Sequence, residues 1–72
     1  MSAYKLIQLG FTTYGNGDTV EQARDDAREW LVSPEQADAV PVVMNTAAVR
    51  ANHVQGDLII VPADVADDLG DY

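Results

Sequence analysis

Residues 18–32, DTVEQARDDAREWLV, decide the fold of this chain. Asp18 is a good N-cap, and Glu21 three positions later completes the spacing of a capping box, so we predict a helix over residues 19–32. Apolar residues recur along it at steps of three and four: Val20, Ala23, Ala27, Trp30 and Leu31. This stripe predicts a single buried face. The opposite face is charged, with the pairs Glu21–Arg24 and Asp25–Arg28 at i, i+3, and Pro34 stops the helix.

The segments before this helix predict one strand and one turn. Residues 3–13, AYKLIQLGFTT, carry apolar side chains on both faces of a period-two pattern, which is typical of a strand that is central or covered on one side by a helix. Gly10 marks a bulge or the end of regular pairing. We interpret Tyr14 to Gly17 as the connection between this strand and the helix, because Asn-Gly tolerates positive φ.

The segments after the helix predict two further strands. Residues 34–37 begin a short helical turn, residues 40–47 are predicted as a strand with Pro41 near its start, and residues 57–61 form a strand that Pro62 ends. Residues 47–54 are ambiguous, since they extend the strand or form a short helix capped by Asn45 or Thr46. The tail from residue 62 begins one helical turn with Val65 and Leu69 facing inward.

We therefore expect a single α+β domain over residues 1–72. Its predicted order is β-α-β-β, with the amphipathic helix packed on a three-stranded sheet and a short helix at the C-terminus. The core is expected to contain Ile7, Leu9, Phe11, Trp30, Leu31, Val43, Ile59 and Val61.

Composition limits the function. Twelve acidic and four basic residues give a formal net charge of −8, so direct binding to nucleic acid is not expected. The chain has no cysteine, which excludes disulfides, thiolate catalysis and cysteine-bound zinc. No leader or membrane-spanning segment is visible, and a cytoplasmic location is the expectation. A chain this short is marginal in stability, which leaves a monomer and a homodimer both open.

No combination of side chains in the sequence indicates catalysis. His53 is the only histidine and lacks a recognisable partner, so a structural role is expected. The GNGDT segment resembles no phosphate-binding motif, and Asp18 would repel an anion. Asp64, Asp67, Asp68 and Asp71 follow helical spacing, but they match no calcium-loop pattern. We expect no enzyme activity, no cofactor and no metal.

The excess of carboxylates predicts a protein partner instead. The residues expected to contact it are Asp25, Asp26, Glu29, Asp64, Asp67 and Asp68. A basic protein such as a nuclease or nucleic-acid-binding complex would fit, because an acidic face can occupy a phosphate-binding groove as a DNA mimic does. One alternative is a salt-adapted accessory domain whose acids serve solvation only. Another is a ligand binder or enzyme that uses His53 and the aspartate cluster.

Residues 17–31, GDTVEQARDDAREWL, resemble the GDT-x-E-E-A-x-x-N-A-x-E-A-L segment of HicB-type antitoxins. In that family a strand and turn lead into a capped helix on a small sheet. The family has a β-hairpin and a proline-containing segment before the helix, whereas we expect one strand here. It commonly adds a ribbon-helix-helix or helix-turn-helix segment, for which this chain has no room. The resemblance therefore implies a partial relative that binds protein and not operator DNA, and no functional residue is carried over.

Overall fold

The chain begins with a β-hairpin in the computed structural model, which describes residues 3–70. Strand β1, Tyr4–Gln8, pairs antiparallel with β2, Thr12–Gly17. The turn between them places Gly10 at φ +82°, and the Phe11 amide donates to the Gln8 carbonyl at 2.9 Å. The prediction of one strand over residues 3–13 is therefore wrong, because Gly10 reverses the chain where positive φ is needed.

Strand β3, Leu58–Pro62, pairs antiparallel with the other side of β1 and gives the sheet the order β2-β1-β3. The central position predicted for the first strand is thus confirmed. The strand predicted over residues 40–47 is wrong, since this segment makes only an isolated parallel bridge from Val42 to Ile60. The predicted strand cannot extend to residue 47, because helix α3, Thr46–Asn52, begins before that residue. Asn45 is the N-cap of α3, and its side chain accepts a hydrogen bond from the backbone N–H of Ala48 at 2.8 Å. Residues 47–54 thus take the helical alternative over most of their length.

Helix α1, Val20–Arg28, is shorter than predicted and begins one residue later. Thr19, not Asp18, is the N-cap, and its hydroxyl accepts from the Gln22 amide at 3.1 Å. The Gln22 side chain accepts in return from the Asp18 amide at 2.8 Å, so the reciprocal cap is displaced by one position. The helix ends before Trp30, which is 68% exposed, so the placement of Trp30 in the core is wrong.

The glycines of β2 hold α1 against the strand and do not form the predicted strand-to-helix turn. A Cβ atom at Gly15 would lie 2.3 Å from the Ala23 carbonyl oxygen and 2.6 Å from the Ala27 nitrogen. Gly17 meets Gln22 and Ala23 at similar distances. Neither glycine has positive φ, so their role is to leave space for the helix backbone.

Helices cover both faces of the sheet. Leu6 and Ile60 face α1 and the short helix α2, Gln36–Ala39, whereas Ile7 and Ile59 face α3 and α4, Ala63–Leu69. The α+β class is confirmed, and Val65 is buried in α4 as expected. Of the predicted core, four residues are buried and two are half-buried: Ile7, Val43, Ile59 and Val61, then Leu9 and Leu31. Phe11 is 65% exposed because it follows the hairpin turn, so its placement in the core is wrong.

Candidate protein-interaction site

The structure places the predicted partner-binding carboxylates on two different helices. One group consists of Asp25, Asp26 and Glu29, in α1 or at its C-cap, and the other of Asp64, Asp67 and Asp68 in α4. All six side chains are exposed. Because α1 and α4 pack on opposite faces of the sheet, the two groups are not brought together in one surface. That these residues bind a partner stays a prediction.

The basic side chains of α1 are committed to contacts within the chain. Arg24, whose side chain is 15% exposed, forms an ion pair with Glu21 at 3.6 Å and donates to the carbonyls of Ala37 and Val40 at 2.5 and 3.0 Å. These contacts attach the segment around α2 to α1. The two ion pairs predicted along α1 are both present.

Arg28 makes the second connection between α1 and α2, through ion pairs with Asp25 and Asp38. Its hydrogen bond to Asp38 raises the pKa of Arg28 above the ordinary value, and the charge of Asp25 acts in the same direction. Within residues 3–70, Asp26 and Glu29 have no basic partner, so their charges remain available on this face.

A shallow groove lies between the outer edge of β2 and α1. Its volume is about 420 Å³, and it is lined by Thr12, Thr13, Tyr14, Asn16, Asp26 and Trp30. The backbone N–H of Asn16 donates to Asp26 Oδ2 at 2.9 Å, so a carboxylate of α1 lies at the edge of β2. The Thr13 hydroxyl is buried and has no hydrogen-bond partner in the described part of the chain.

Asp26 is the one groove residue that the sequence analysis predicts to contact a basic protein partner. Tyr14 is half-buried and donates to Gln8 Oε1 at 3.1 Å, which fixes its ring at the edge of the sheet. The sequence predicts Trp30 in the core because Trp30 continues the apolar stripe of α1. The sequence contains no signal that α1 ends before Trp30, since neither glycine nor proline occurs between the start of the helix and Pro34.

Two of the three α4 carboxylates border a second groove, at the N-terminal end of β1. It has a volume of about 580 Å³ and is lined by Ala3, Tyr4, Met44, Pro62, Ala63, Asp64 and Asp67. Asp68 accepts a 3.3 Å hydrogen bond from the Thr46 hydroxyl, which connects α4 to α3. Asp71 lies outside the described residues.

His53 has a local structural role. Its Nδ1 lies 3.2 Å from Asp57 Oδ2, and the same oxygen accepts from the Val54 amide at 3.1 Å. The pair thus braces the turn over residues 54–57, where Gly56 has φ +100° and the Asp57 amide donates to the Val54 carbonyl. No group of three metal-ligating side chains occurs within residues 3–70.

Comparison of the chain with protein-family models, with curated proteins and with solved structures finds no match. Between residues 3 and 70, no helix is long and apolar enough to cross a bilayer.

Proposed function

We propose that this chain is a small acidic, non-enzymatic protein-binding module of the antitoxin or phage-inhibitor type. Its partner is a basic protein that handles nucleic acid. The observation that carries the proposal is the net charge of −8 combined with the engagement of Arg24 and Arg28 in contacts with α2. Because the ion pairs of Arg24 and Arg28 are made with Glu21, Asp25 and Asp38, the charges of Asp26 and Glu29 are not neutralised by a basic side chain within residues 3–70.

Charge of this kind acts at a distance before contact is made. A protein with a strong field of one sign attracts partners of the opposite sign and accelerates their association. A nucleic-acid-binding protein offers such a partner, because its groove is built to hold phosphates. Carboxylates on a rigid helix compete for that groove without being a substrate. The resemblance of residues 17–31 to HicB-type antitoxins points to the same class of function and stays a hypothesis.

The distribution of the acids favours a second candidate, a salt-adapted accessory domain. Exposed carboxylates lie on both faces of the sheet, on α1 and on α4, as a solvation role requires. A binding module needs only one of these faces. The two functions therefore differ in whether one face matters more than the other.

The test uses two variants with the same change in charge. D25N/D26N/E29Q neutralises the α1 group, and D64N/D67N/D68N neutralises the α4 group. The tagged wild type and both variants are used to capture proteins from lysate of the source cells at about 0.1 M KCl and about 1 M KCl. This change shortens the screening length from about 10 Å to about 3 Å. Captured proteins are identified, and their affinities are measured with purified material.

If the chain is a protein-binding module, the wild type should capture one basic partner at stoichiometric yield. This capture should be lost at high salt, and it should be lost with only one of the two variants. Solvation predicts that no such partner appears and that the unfolding midpoint rises strongly with molar KCl. It also predicts that both variants reduce this rise equally. A partner that binds with the same affinity at both salt concentrations, and equally well to the wild type and both variants, would contradict the proposed function.

A further inference from the structure

The two edges of the sheet differ in how they are covered. The outer edge of β3 is protected by residues 41–43, since the Val43 amide donates to the Ile60 carbonyl at 2.8 Å and the Ile60 amide donates to the Pro41 carbonyl at 2.9 Å. No strand within residues 3–70 lies beyond β2. An uncovered strand edge is a template for pairing with another chain, and proteins usually block it.

The groove beside β2 combines this edge with a carboxylate and an exposed indole. Asp26 holds the Asn16 amide at 2.9 Å, and Trp30 lines the same groove with 68% of its surface exposed. A carboxylate and an indole face together suit a guanidinium group, which forms charge-assisted hydrogen bonds with the first and stacks on the second. The nearest arginines in sequence, Arg24 and Arg28, are occupied at α2.

We propose that the β2 edge, Asp26 and Trp30 form the docking site for an extended, arginine-bearing segment of the basic partner. The segment adds a strand to β2, and one arginine lies over Trp30 and reaches Asp26. Asp26 then exchanges the Asn16 amide for the guanidinium, which frees this amide to pair with the incoming backbone. This inference rests on the proposed function and names its binding surface.

Charge selects this occupant over a second copy of the chain. Pairing β2 with itself would bring together two molecules of net charge −8 and place two Asp26 carboxylates near the shared edge. Like charges brought close together repel each other. A cationic segment instead neutralises Asp26, and Glu29 adds attraction from the end of α1.

The direct test uses Trp30, the only tryptophan, as a fluorescent reporter and the Asn16 amide as an NMR reporter. The probe is an acetylated and amidated hexapeptide of alternating valine and arginine. One control peptide replaces arginine by citrulline, which keeps the shape and removes the charge. A second replaces valine by proline, which keeps the charge and prevents strand pairing.

We expect saturable shifts of both reporters with the valine–arginine peptide and much weaker shifts with either control. Asp26→Asn should weaken binding about two- to fivefold, whereas Glu35→Gln, at an exposed side chain outside both acidic groups and with the same change in charge, should not. Trp30→Ala should weaken it by a similar factor, read from the Asn16 amide, and Trp30→Phe should retain most of the affinity. Val32→Ala, at a side chain 99% exposed, controls for loss of apolar surface.

Three results would overturn the inference: no shift with the valine–arginine peptide, equal binding of all three peptides, or concentration-dependent shifts of β2 amides with a dimer mass in sedimentation. The last would assign the edge to a second copy. The capture experiment separates this inference from the proposed function. If the partner is retained by D26N/W30A as well as by E35Q/V32A, the module binds a partner but not through this edge. If no partner is captured while the peptide binds, the docking chemistry stands and the proposed function fails.

Discussion

Gly15→Ala tests the contact on which the position of α1 depends. The added Cβ would lie 2.3 Å from the Ala23 carbonyl oxygen, 2.6 Å from the Ala27 nitrogen and 2.8 Å from the Ala27 Cβ. Carbon atoms in contact normally stay about 3.5–4.0 Å apart. Two of these three neighbours are backbone atoms, so no rotamer change relieves the clash. The helix must move away from the strand by about 1 Å, a gap that forfeits a quarter to a half of each contact.

The magnitude follows from two opposing effects. Overpacking a core costs about 1–3 kcal/mol, and sometimes more when backbone must shift. Replacing a glycine without positive φ stabilises by about 0.4–1 kcal/mol, because the unfolded chain loses freedom. The net loss is expected at about 1–2 kcal/mol or more. For a domain of this size, each kcal/mol lowers Tm by about 4–8 °C.

Urea unfolding followed by far-UV circular dichroism gives the free energy of unfolding, and a thermal scan gives Tm. Gly56→Ala is the contrasting variant, since Gly56 has φ +100° and no heavy atom within 4 Å of an added Cβ. Its cost is backbone strain, so asparagine should cost less than alanine there, because asparagine tolerates positive φ better. At Gly15 the cost should instead rise with side-chain size, from alanine to valine. A Gly15→Ala protein as stable as the wild type would refute the close approach of α1 to β2.

Three further predictions concern α1, its connection to α2 and the cap of α3. Arg24→Met should lower the free energy of unfolding by about 1–3 kcal/mol, because the carbonyls of Ala37 and Val40 lose their donor. Glu21→Gln, which removes only the ion pair with Arg24, should lower it by less than about 0.5 kcal/mol. Urea unfolding measures both, and equal midpoints for the two variants would contradict this role of Arg24. Asn45→Ala removes the cap of α3 and should cost about 1 kcal/mol, seen as a fall in Tm, and no fall would contradict the cap. Trp30→Ala should change the free energy of unfolding by less than about 0.5 kcal/mol, because Trp30 is exposed; a loss of about 3–5 kcal/mol would place it in the core after all.

The spacing of apolar residues is sufficient to predict a helix or strand that is buried along its whole length. The third strand, the central place of the first and the apolar face of α1 all follow from spacing, since Leu6 and Ile7 point to opposite faces and both are buried. The helical alternative for residues 47–54 depended on Asn45, whose capping role is visible in the sequence.

Periodicity failed where the chain turns while the pattern continues. Leu9 and Phe11 extend the alternation of β1, so the hairpin was missed although Gly10 provides the positive φ that the turn needs. The sequence pattern predicts Gly15 and Gly17 as turn residues because Asn16 stands between them. Glycine serves both turns and close packing, and only the neighbouring helix decides which.

These two failures explain why the groove could not be predicted, because it exists only where both occur. The hairpin supplies β2 as an uncovered edge, and the glycines of β2 let α1 lie close enough for Asp26 to reach the Asn16 amide. The early end of α1 then releases Trp30 from the core to the same edge. A strand over residues 3–13 followed directly by a helix to residue 32 would have buried Trp30 and left no such edge. The fold-determining contact at Gly15 and the proposed docking chemistry at Asp26 and Trp30 are therefore parts of one arrangement.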